Sequence, residues 1–273
     1  MSQQDAVAWN EQDIAALTAK VGALKASMAR VIIGQEEVVE LLVTCLLAGG
    51  HALVEGVSGL GKTLLVKSLA QATDMQFRRV QFTPDLMPSD IVGTEILEED
   101  ASTRQRVFRF QPGPVFTQVL LADEINRATP KTQSGLLEAM EERQVSADGV
   151  TRPLPEPFFV IATQNPANQV GVFPLPESQL DRFLMCLSLG YPDAAAERAL
   201  LMGEDRRSML KTLQPAMLPE ELAQAQRQLR EIHASGNLVT YVQALAQASR
   251  QNGLFAEGLS PRAAIALLQA GRA

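Results

Sequence analysis

Hydrophobic and polar residues follow one another along the first two thirds of the chain in two spacings, one typical of helices and one of buried strands. Apolar positions three or four residues apart predict helices over 11–29, about 35–47, 62–73 and 130–142. Short apolar runs predict strands in HALVEG, VLLADE, FFVIATQN and FLMCLSL, and FRRVQF is a further strand candidate. Because strands alternate with helices, the pattern predicts an α/β fold: a five-stranded parallel sheet with helices on both faces.

Two insertions interrupt this alternation. More than thirty residues separate FRRVQF from VLLADE, which is too many for a plain strand-helix-strand connection. Within this insertion, at about 84–117, the segments GTEIL and RVFRF can pair as a hairpin. A second hairpin is predicted at about 144–157, where Asp148-Gly149 is a signal for a tight turn.

After Tyr191 the alternation of predicted strands and helices ends. Segments such as PEELAQAQRQLREIHAS and VTYVQALAQASRQ have helical patterns, and no strand is predicted between them. The last predicted helix stops abruptly at Ala273, as it would in an incomplete domain. We therefore expect an N-terminal helix, an α/β core and a small all-α domain, over 1–30, 31–191 and 192–273 respectively.

Composition and charge narrow the class of protein. The 273 residues are 46% hydrophobic and 20% charged, which is typical of a globular domain. A net charge of -7, without a block of Lys and Arg, gives no electrostatic footprint for general nucleic-acid binding. The N-terminus does not resemble a signal peptide and no apolar run is long enough for a membrane span, so we expect a cytoplasmic protein without membrane insertion.

The segment GVSGLGKT lies between the first buried strand and the next helix and matches the Walker A pattern G-x-x-x-x-G-K-[ST]. Glycines let backbone N–H groups approach a polyphosphate, and the helix start adds its positive dipole end. Lys62 would lie between the β- and γ-phosphates, and the Thr63 hydroxyl would bind Mg²⁺. The alternative, a glycine-rich turn with a surface lysine, fits the flanking strand and helix less well. The candidate nucleotide-binding residues of this loop are Gly56, Val57, Ser58, Gly59, Leu60, Gly61, Lys62, Thr63 and Leu64.

Two acidic residues close the apolar run VLLADE in a Walker B arrangement. Asp123 would bind the nucleotide's Mg²⁺ through water, and Glu124 would polarise the attacking water; the alternative is that both acids cap the next helix. Asn165, in ATQNP, would hold that water beside the γ-phosphate, although Asn before Pro is also common in turns. The P-loop and the two acids together predict a Mg-dependent nucleotide hydrolase.

In chain order, GVSGLGKT, LLADEINRA, ATQNP, LPESQLDRF and GLSPRA resemble the motifs of an AAA+ ATPase. Together with VIIGQEEVV and FQPGPVF, they resemble the MoxR family in particular, over about residues 30–270. The resemblance implies an AAA+ P-loop core and a helical lid, with the two hairpins as the helix-2 insert and the pre-sensor-1 hairpin. The family often has Pro and Ala where this chain has Ser58 and Gly61, but Gly61 fits the general consensus.

The resemblance also implies roles for single residues. Asn165 would be sensor 1, and Arg262, in SPR, would be sensor 2 on the lid. The residues that would line the adenine pocket are Val31, Ile32 and Ile33.

Arg182, in LDRF, matches the arginine finger, which reaches the γ-phosphate held by a neighbouring subunit. A local salt bridge with Asp181 is the alternative, and Arg127 is a second candidate for an interface arginine. Arginines that act in trans imply a closed homo-oligomeric ring, which the resemblance makes a hexamer.

The resemblance implies a chaperone-like ATPase that remodels, activates or assembles client protein complexes, including metal-cofactor insertion, with a von Willebrand factor A domain partner. A nucleic-acid-dependent motor of the same branch is an alternative, disfavoured by the acidic balance and by a SADGVT hairpin tip without Lys or Arg. A nucleotide-gated scaffold with little turnover is another, disfavoured because Glu124, Asn165 and Arg182 occur together.

Overall fold

The structure of the chain is a computed structural model that describes residues 11–57, 59–99, 105–147, 149–164, 171–203, 205–251, 253, 255 and 257–273. Its strands are β1 Ala52–Glu55, β2 Phe77–Gln81, β3 Gly93–Glu99, β4 Arg106–Pro112, β5 Val119–Asp123, β6 Gln144–Ala147, β7 Val150–Pro153, β8 Phe159–Gln164 and β9 Met185–Ser188. Its α-helices are α1 Glu11–Ala29, α2 Glu36–Leu47, α3 Lys62–Ala72, α4 Pro88–Val92, α5 Pro130–Glu142, α6 Glu177–Leu180, α7 Ala194–Met202, α8 Arg206–Lys211, α9 Pro219–Arg230, α10 Gly236–Gln251 and α11 Pro261–Ala270.

Five strands form one parallel sheet in the order β2-β5-β8-β1-β9. Successive residues of a strand point to opposite faces, and β5 shows this directly. Val119 and Leu121 pack with α1, α2 and α3, whereas Leu120 and Ala122 pack with α5 on the other face. All five residues of β5 are buried, as expected for a sheet covered on both sides. The predicted parallel sheet with helices on both faces is confirmed.

The two inserted hairpins form separate two-stranded antiparallel sheets. Strands β3 and β4 pair from Gly93 opposite Pro112 to Glu99 opposite Arg106. Strands β6 and β7 pair in the second hairpin; Asp148 of its predicted turn lies outside the described residues. The short helix α4, which precedes the first hairpin, was not predicted.

The helical C-terminal part divides into two groups. Helices α7 and α8 come first in this part of the chain. Helix α9 buries Leu222 and Leu229 in the core shared with α1, α2 and α3, and Gln226 Nε2 donates a 2.7 Å hydrogen bond to Leu46 O. Helices α10 and α11 contact each other beyond this core. Across the described segments, no helix combines the length and hydrophobicity that a bilayer span requires.

Candidate functional site

The glycine-rich loop joins the carboxyl end of β1 to the start of α3. Gly59 and Gly61 have φ angles of 93° and 83°, a backbone conformation that residues with a side chain rarely adopt. Helix α3 begins at Lys62, directly after this loop, and its first N–H groups have no partner within the helix. Such a helix start is a binding site for anionic phosphate.

Lys62, the first residue of α3, is buried against this loop, and its Nζ donates a 2.5 Å hydrogen bond to Gly56 O. Burial lowers the pKa of the Lys62 ammonium, and the negative charges of Asp123 and Glu124 act to raise it. The P-loop lysine and the two acids predicted from VLLADE are therefore close enough to interact electrostatically.

The two acids are tied together by a buried hydroxyl on the neighbouring strand. Thr163 Oγ1 donates a 2.5 Å hydrogen bond to Asp123 Oδ1 and accepts a 2.9 Å hydrogen bond from the backbone N–H of Glu124. Glu124 has a left-handed backbone, with φ 56° and ψ 49°, which is uncommon for a residue other than glycine. Backbone strain of this kind is concentrated at functional sites, and here the hydroxyl of Thr163 supports it.

Strand β2 brings further polar side chains to the same two acids. Arg79 donates from Nε and Nη2 to Asp123 Oδ2, at 3.0 and 2.6 Å, and from Nη2 to Gln81 Oε1 at 2.6 Å. Gln81 Nε2 then donates a 2.9 Å hydrogen bond to Glu124 Oε2. Arg127, the second candidate for an interface arginine, pairs in its own chain with Glu124 Oε2 at 3.0 Å.

These side chains line one cleft of about 1410 Å³ at the carboxyl edge of the sheet, which is ample for a nucleotide. The cationic residues on its walls are Lys62, Lys67, Arg79, Arg127, Arg206 and Lys211. This donor set fits a polyphosphate. The Thr63 hydroxyl and the Asp123 carboxylate supply the hard oxygen ligands that suit Mg²⁺.

The remaining two predicted arginines meet elsewhere, at Glu141 near the end of α5. Arg182 Nε lies 3.2 Å from Glu141 Oε2, and Arg262 Nη2 donates to Glu141 Oε1. Both arginines line a separate cleft of about 420 Å³ that also contains Asp181. Arg182 therefore has an ion-pair partner in its own chain, but this partner is Glu141 rather than the neighbouring Asp181.

This second cleft lies at the amino edge of the sheet. His51, directly before β1, lines it; the His51 carbonyl accepts from Leu184 N at 2.8 Å, and its Nδ1 accepts from Val160 N at 3.0 Å. The four residues of β1 span about 13 Å at roughly 3.3 Å per residue, and they separate this edge from the P-loop. Arg262, predicted as sensor 2 on the lid, is not among the described residues that line the P-loop cleft.

Comparison with known proteins gives the family. A family model described as "ATPase family associated with various cellular activities (AAA)" matches residues 51–185. The uncharacterised protein YeaC of Bacillus subtilis is 44% identical over 244 residues, which cover 89% of this chain and 75% of YeaC. Chaperone MoxR1 of Mycobacterium tuberculosis is 43% identical over 258 residues, which cover 89% of this chain and 65% of MoxR1. The chain belongs to the MoxR family of AAA+ ATPases.

Further relatives agree with this MoxR assignment. Protein MoxR of Methylorubrum extorquens is 37% identical over 180 residues, covering 64% of this chain and about half, 51%, of that protein. A Cytophaga hutchinsonii protein of known crystal structure superposes with a TM-score of 0.79 at 35% identity, covering 95% of this chain and 82% of the other. The predicted AAA+ P-loop fold and ATPase class are confirmed, and membership of this family implies nucleotide binding.

Some of the residues predicted for the MoxR-family site are not in the two clefts. Val31 and Ile32 are buried in the core, and their backbone N–H groups both donate to Met28 O. Their predicted contact with adenine, together with that of Ile33, stays a prediction. Asn165 and Ser58 lie outside the described residues.

Four side chains of this MoxR-family site were missed in the sequence. Arg79 and Gln81 are two apart near the end of a predicted strand, so they face the same side; this spacing was an available signal. Thr163 places a hydroxyl in an otherwise apolar strand, which was a weaker signal. Glu141 is one of several acids on a helix, and nothing local distinguishes it.

Proposed function

We propose that this chain is the subunit of a closed homo-oligomeric ring in which each ATP is hydrolysed with arginines from the next subunit. The observation that supports this proposal is that Arg182 and Arg262 lie at the amino edge of the sheet, whereas Lys62 lies at its carboxyl edge. An arginine that stabilises the transition-state charge must contact the γ-phosphate. The length of the strands, about 13 Å for β1, separates the two edges within one chain. Head-to-tail contacts that close generate a ring.

Within each subunit, the P-loop binds and orients the phosphates of ATP. The backbone N–H groups at the start of α3 and the ammonium of Lys62 neutralise and position them. Thr63 and Asp123 would hold Mg²⁺, which supplies further neutralisation of phosphate charge when bound. These groups account for binding, but they do not by themselves activate water.

Glu124 is the residue that would orient and polarise the attacking water. Its carboxylate is aimed by the left-handed backbone that Thr163 supports and by contacts with Gln81 and Arg127. Asn165 would hold the same water from the next strand. Arg182 and Arg262 of the adjacent subunit would then stabilise the charge that develops on the transferred phosphoryl group.

The same proposal includes what the energy of ATP hydrolysis is used for. One relative at 43% identity is named a chaperone, which supports remodelling or assembly of client protein complexes. By family resemblance, the ring is a hexamer in the cytoplasm, its partner is a von Willebrand factor A domain protein, and some clients receive metal cofactors. A division near residue 191 into nucleotide-binding core and helical lid is also part of the proposal.

Nucleotide binding is tested by calorimetry of purified protein with Mg²⁺ and ATP. Lys62→Ala should remove the heat of association, because the phosphate site loses the cation that begins α3. Lys25→Ala is the matched control, since Lys25 lies on α1 in a half-exposed ion pair with Glu40. A Lys62→Ala protein that binds ATP as tightly as the unmodified chain would refute the site.

Hydrolysis in trans is tested by mixing variants. Arg182→Ala should bind ATP but lose about a thousandfold or more in turnover, the usual contribution of an arginine finger. Lys62→Ala subunits have intact arginines and no working P-loop, so mixing the two variants should restore part of the turnover. Full turnover by Arg182→Ala alone, or no recovery on mixing, would contradict the ring mechanism.

A further inference from the structure

We infer that Glu141 is a positioning residue that holds Arg182 and Arg262 side by side for a neighbouring subunit's ATP. The inference rests on the proposed function, because it deepens the role of the two arginines. Each oxygen of the Glu141 carboxylate takes one guanidinium: Oε2 is 3.2 Å from Arg182 Nε, and Oε1 accepts from Arg262 Nη2. One side chain thus connects two elements that are far apart in the sequence.

Glu141 lies on a helix that packs into the core, whereas Arg262 lies on one that does not. Helix α5 buries Leu137 and Met140 in the core, and the Met140 carbonyl lies 3.2 Å from His51 Nε2. In contrast, none of the ten residues of α11, all of them described, is buried. The contact between Arg262 and Glu141 therefore contributes more to the placement of α11 than one ion pair would on a well-packed helix.

The charges in the cleft explain why a carboxylate is needed there. Two guanidinium groups that share a site repel each other, and Glu141 offsets this repulsion. Arg143, a third arginine in the cleft, is already engaged, because it donates 2.6 Å hydrogen bonds to Phe158 O and to Gly49 O. Asp181 also lines the cleft, yet within the described segments it forms no ion pair with either arginine.

Glu141 can orient the arginines without blocking them. A guanidinium has five N–H donors, and the contact with Glu141 uses one nitrogen of each arginine. The side chains of Arg182 and Arg262 are 28% and 48% exposed, so the remaining donors can be reached from outside the chain. The geometry thus allows the pair to contact Glu141 and an incoming phosphate at the same time.

The first test compares Glu141→Gln with Glu142→Gln, its exposed neighbour on the same helix. Glu141→Gln keeps the size and one acceptor but removes the charge, so kcat should fall roughly tenfold to a hundredfold, the scale expected when catalytic groups are misplaced by about 1 Å. KM, binding of a fluorescent ATP analogue and the thermal unfolding midpoint should stay close to those of the unmodified protein. Glu142→Gln should leave all four quantities unchanged.

The second test mixes Glu141→Gln with Lys62→Ala. The Glu141→Gln subunits keep an intact P-loop, and the Lys62→Ala subunits supply Glu141 with both arginines, so turnover should partly return. A defect confined to the Glu141→Gln subunit's own fold or P-loop would not be repaired by its neighbour.

The outcomes separate this inference from the proposed function. Two outcomes overturn only the role of Glu141. One is an unchanged kcat in Glu141→Gln; the other is a loss of turnover that mixing with Lys62→Ala does not repair, although the Arg182→Ala and Lys62→Ala mixture recovers. Failure of both mixtures overturns hydrolysis in trans, and the role of Glu141 falls with it.

Discussion

The guanidinium of Arg79 lies against the carboxylate of Asp123, with Nε and Nη2 at 3.0 and 2.6 Å from Oδ2. The other oxygen, Oδ1, accepts the hydroxyl of Thr163. Asp123 is also the carboxylate that we propose for Mg²⁺. In that proposal, the arginine and the metal ion would be alternative cations for the same side chain, and strand β2 would influence metal binding directly.

Arg79→Ala should lower the Mg²⁺ concentration that gives half-maximal ATPase activity. The Arg79 side chain is 45% exposed, so its ion pair contributes about 1 kcal/mol and its removal should shift the midpoint roughly fivefold. Titration of Mg²⁺ at fixed ATP measures the shift. Arg78→Ala, on the adjacent exposed position of β2, is the control and should not move it. A higher Mg²⁺ requirement in Arg79→Ala would mean that Arg79 orients Asp123 instead of competing with the metal.

Thr163→Val should impair hydrolysis while leaving ATP binding intact. The valine matches the shape of threonine but removes the hydroxyl that joins Asp123 to the backbone of Glu124. We expect kcat to fall about tenfold or more, and the free energy of unfolding to fall by about 1–3 kcal/mol, because polar groups lose their partner. Turnover assays and urea unfolding measure the two effects. Thr163→Ser retains the hydroxyl and should recover most of both; if it does not, the methyl group rather than the hydrogen bonds is what matters.

The sequence was sufficient for features whose signal is local. The P-loop is a short pattern between a strand and a helix, and the buried strands are continuous apolar runs, so the parallel sheet and the position of Lys62 were predictable. Because the carboxyl ends of parallel strands meet at one edge of the sheet, the position of Asp123 near the P-loop was also predictable.

Relations between distant segments were not predictable from these signals. Glu141 and Arg262 are 121 residues apart, and only the packing of α11 brings them together. Helix α9 has the same amphipathic pattern as its neighbours, yet it packs into the main core with α2. The packing of the C-terminal helices determines the edge of the sheet at which Arg262 lies. Helical spacing in the sequence does not specify that packing.

Arg127→Ala distinguishes two roles for the second candidate arginine. Arg127 pairs with Glu124 of its own chain, so its loss should lower kcat through the subunit's own site. Mixing Arg127→Ala with Lys62→Ala should therefore give no recovery, in contrast to the Arg182→Ala mixture, which serves as the positive control in the same ATPase assay. Recovery of turnover would instead place Arg127 among the residues that act on a neighbour's ATP.

His51 makes the stability of the fold depend on pH. Its Nδ1 accepts from Val160 N–H, so the ring is neutral with the proton on Nε2, and burial lowers its pKa to about 3. An unfolded histidine takes up a proton below about pH 6.5, so between pH 6.5 and 3 the unfolded state binds more protons and stability falls as the pH falls. Between pH 7 and 5 this should remove about 2 kcal/mol from the free energy of unfolding, measured with urea. His51→Gln should flatten this dependence, whereas exposed His233→Gln should preserve it; equal slopes in all three proteins would show that His51 does not titrate on unfolding.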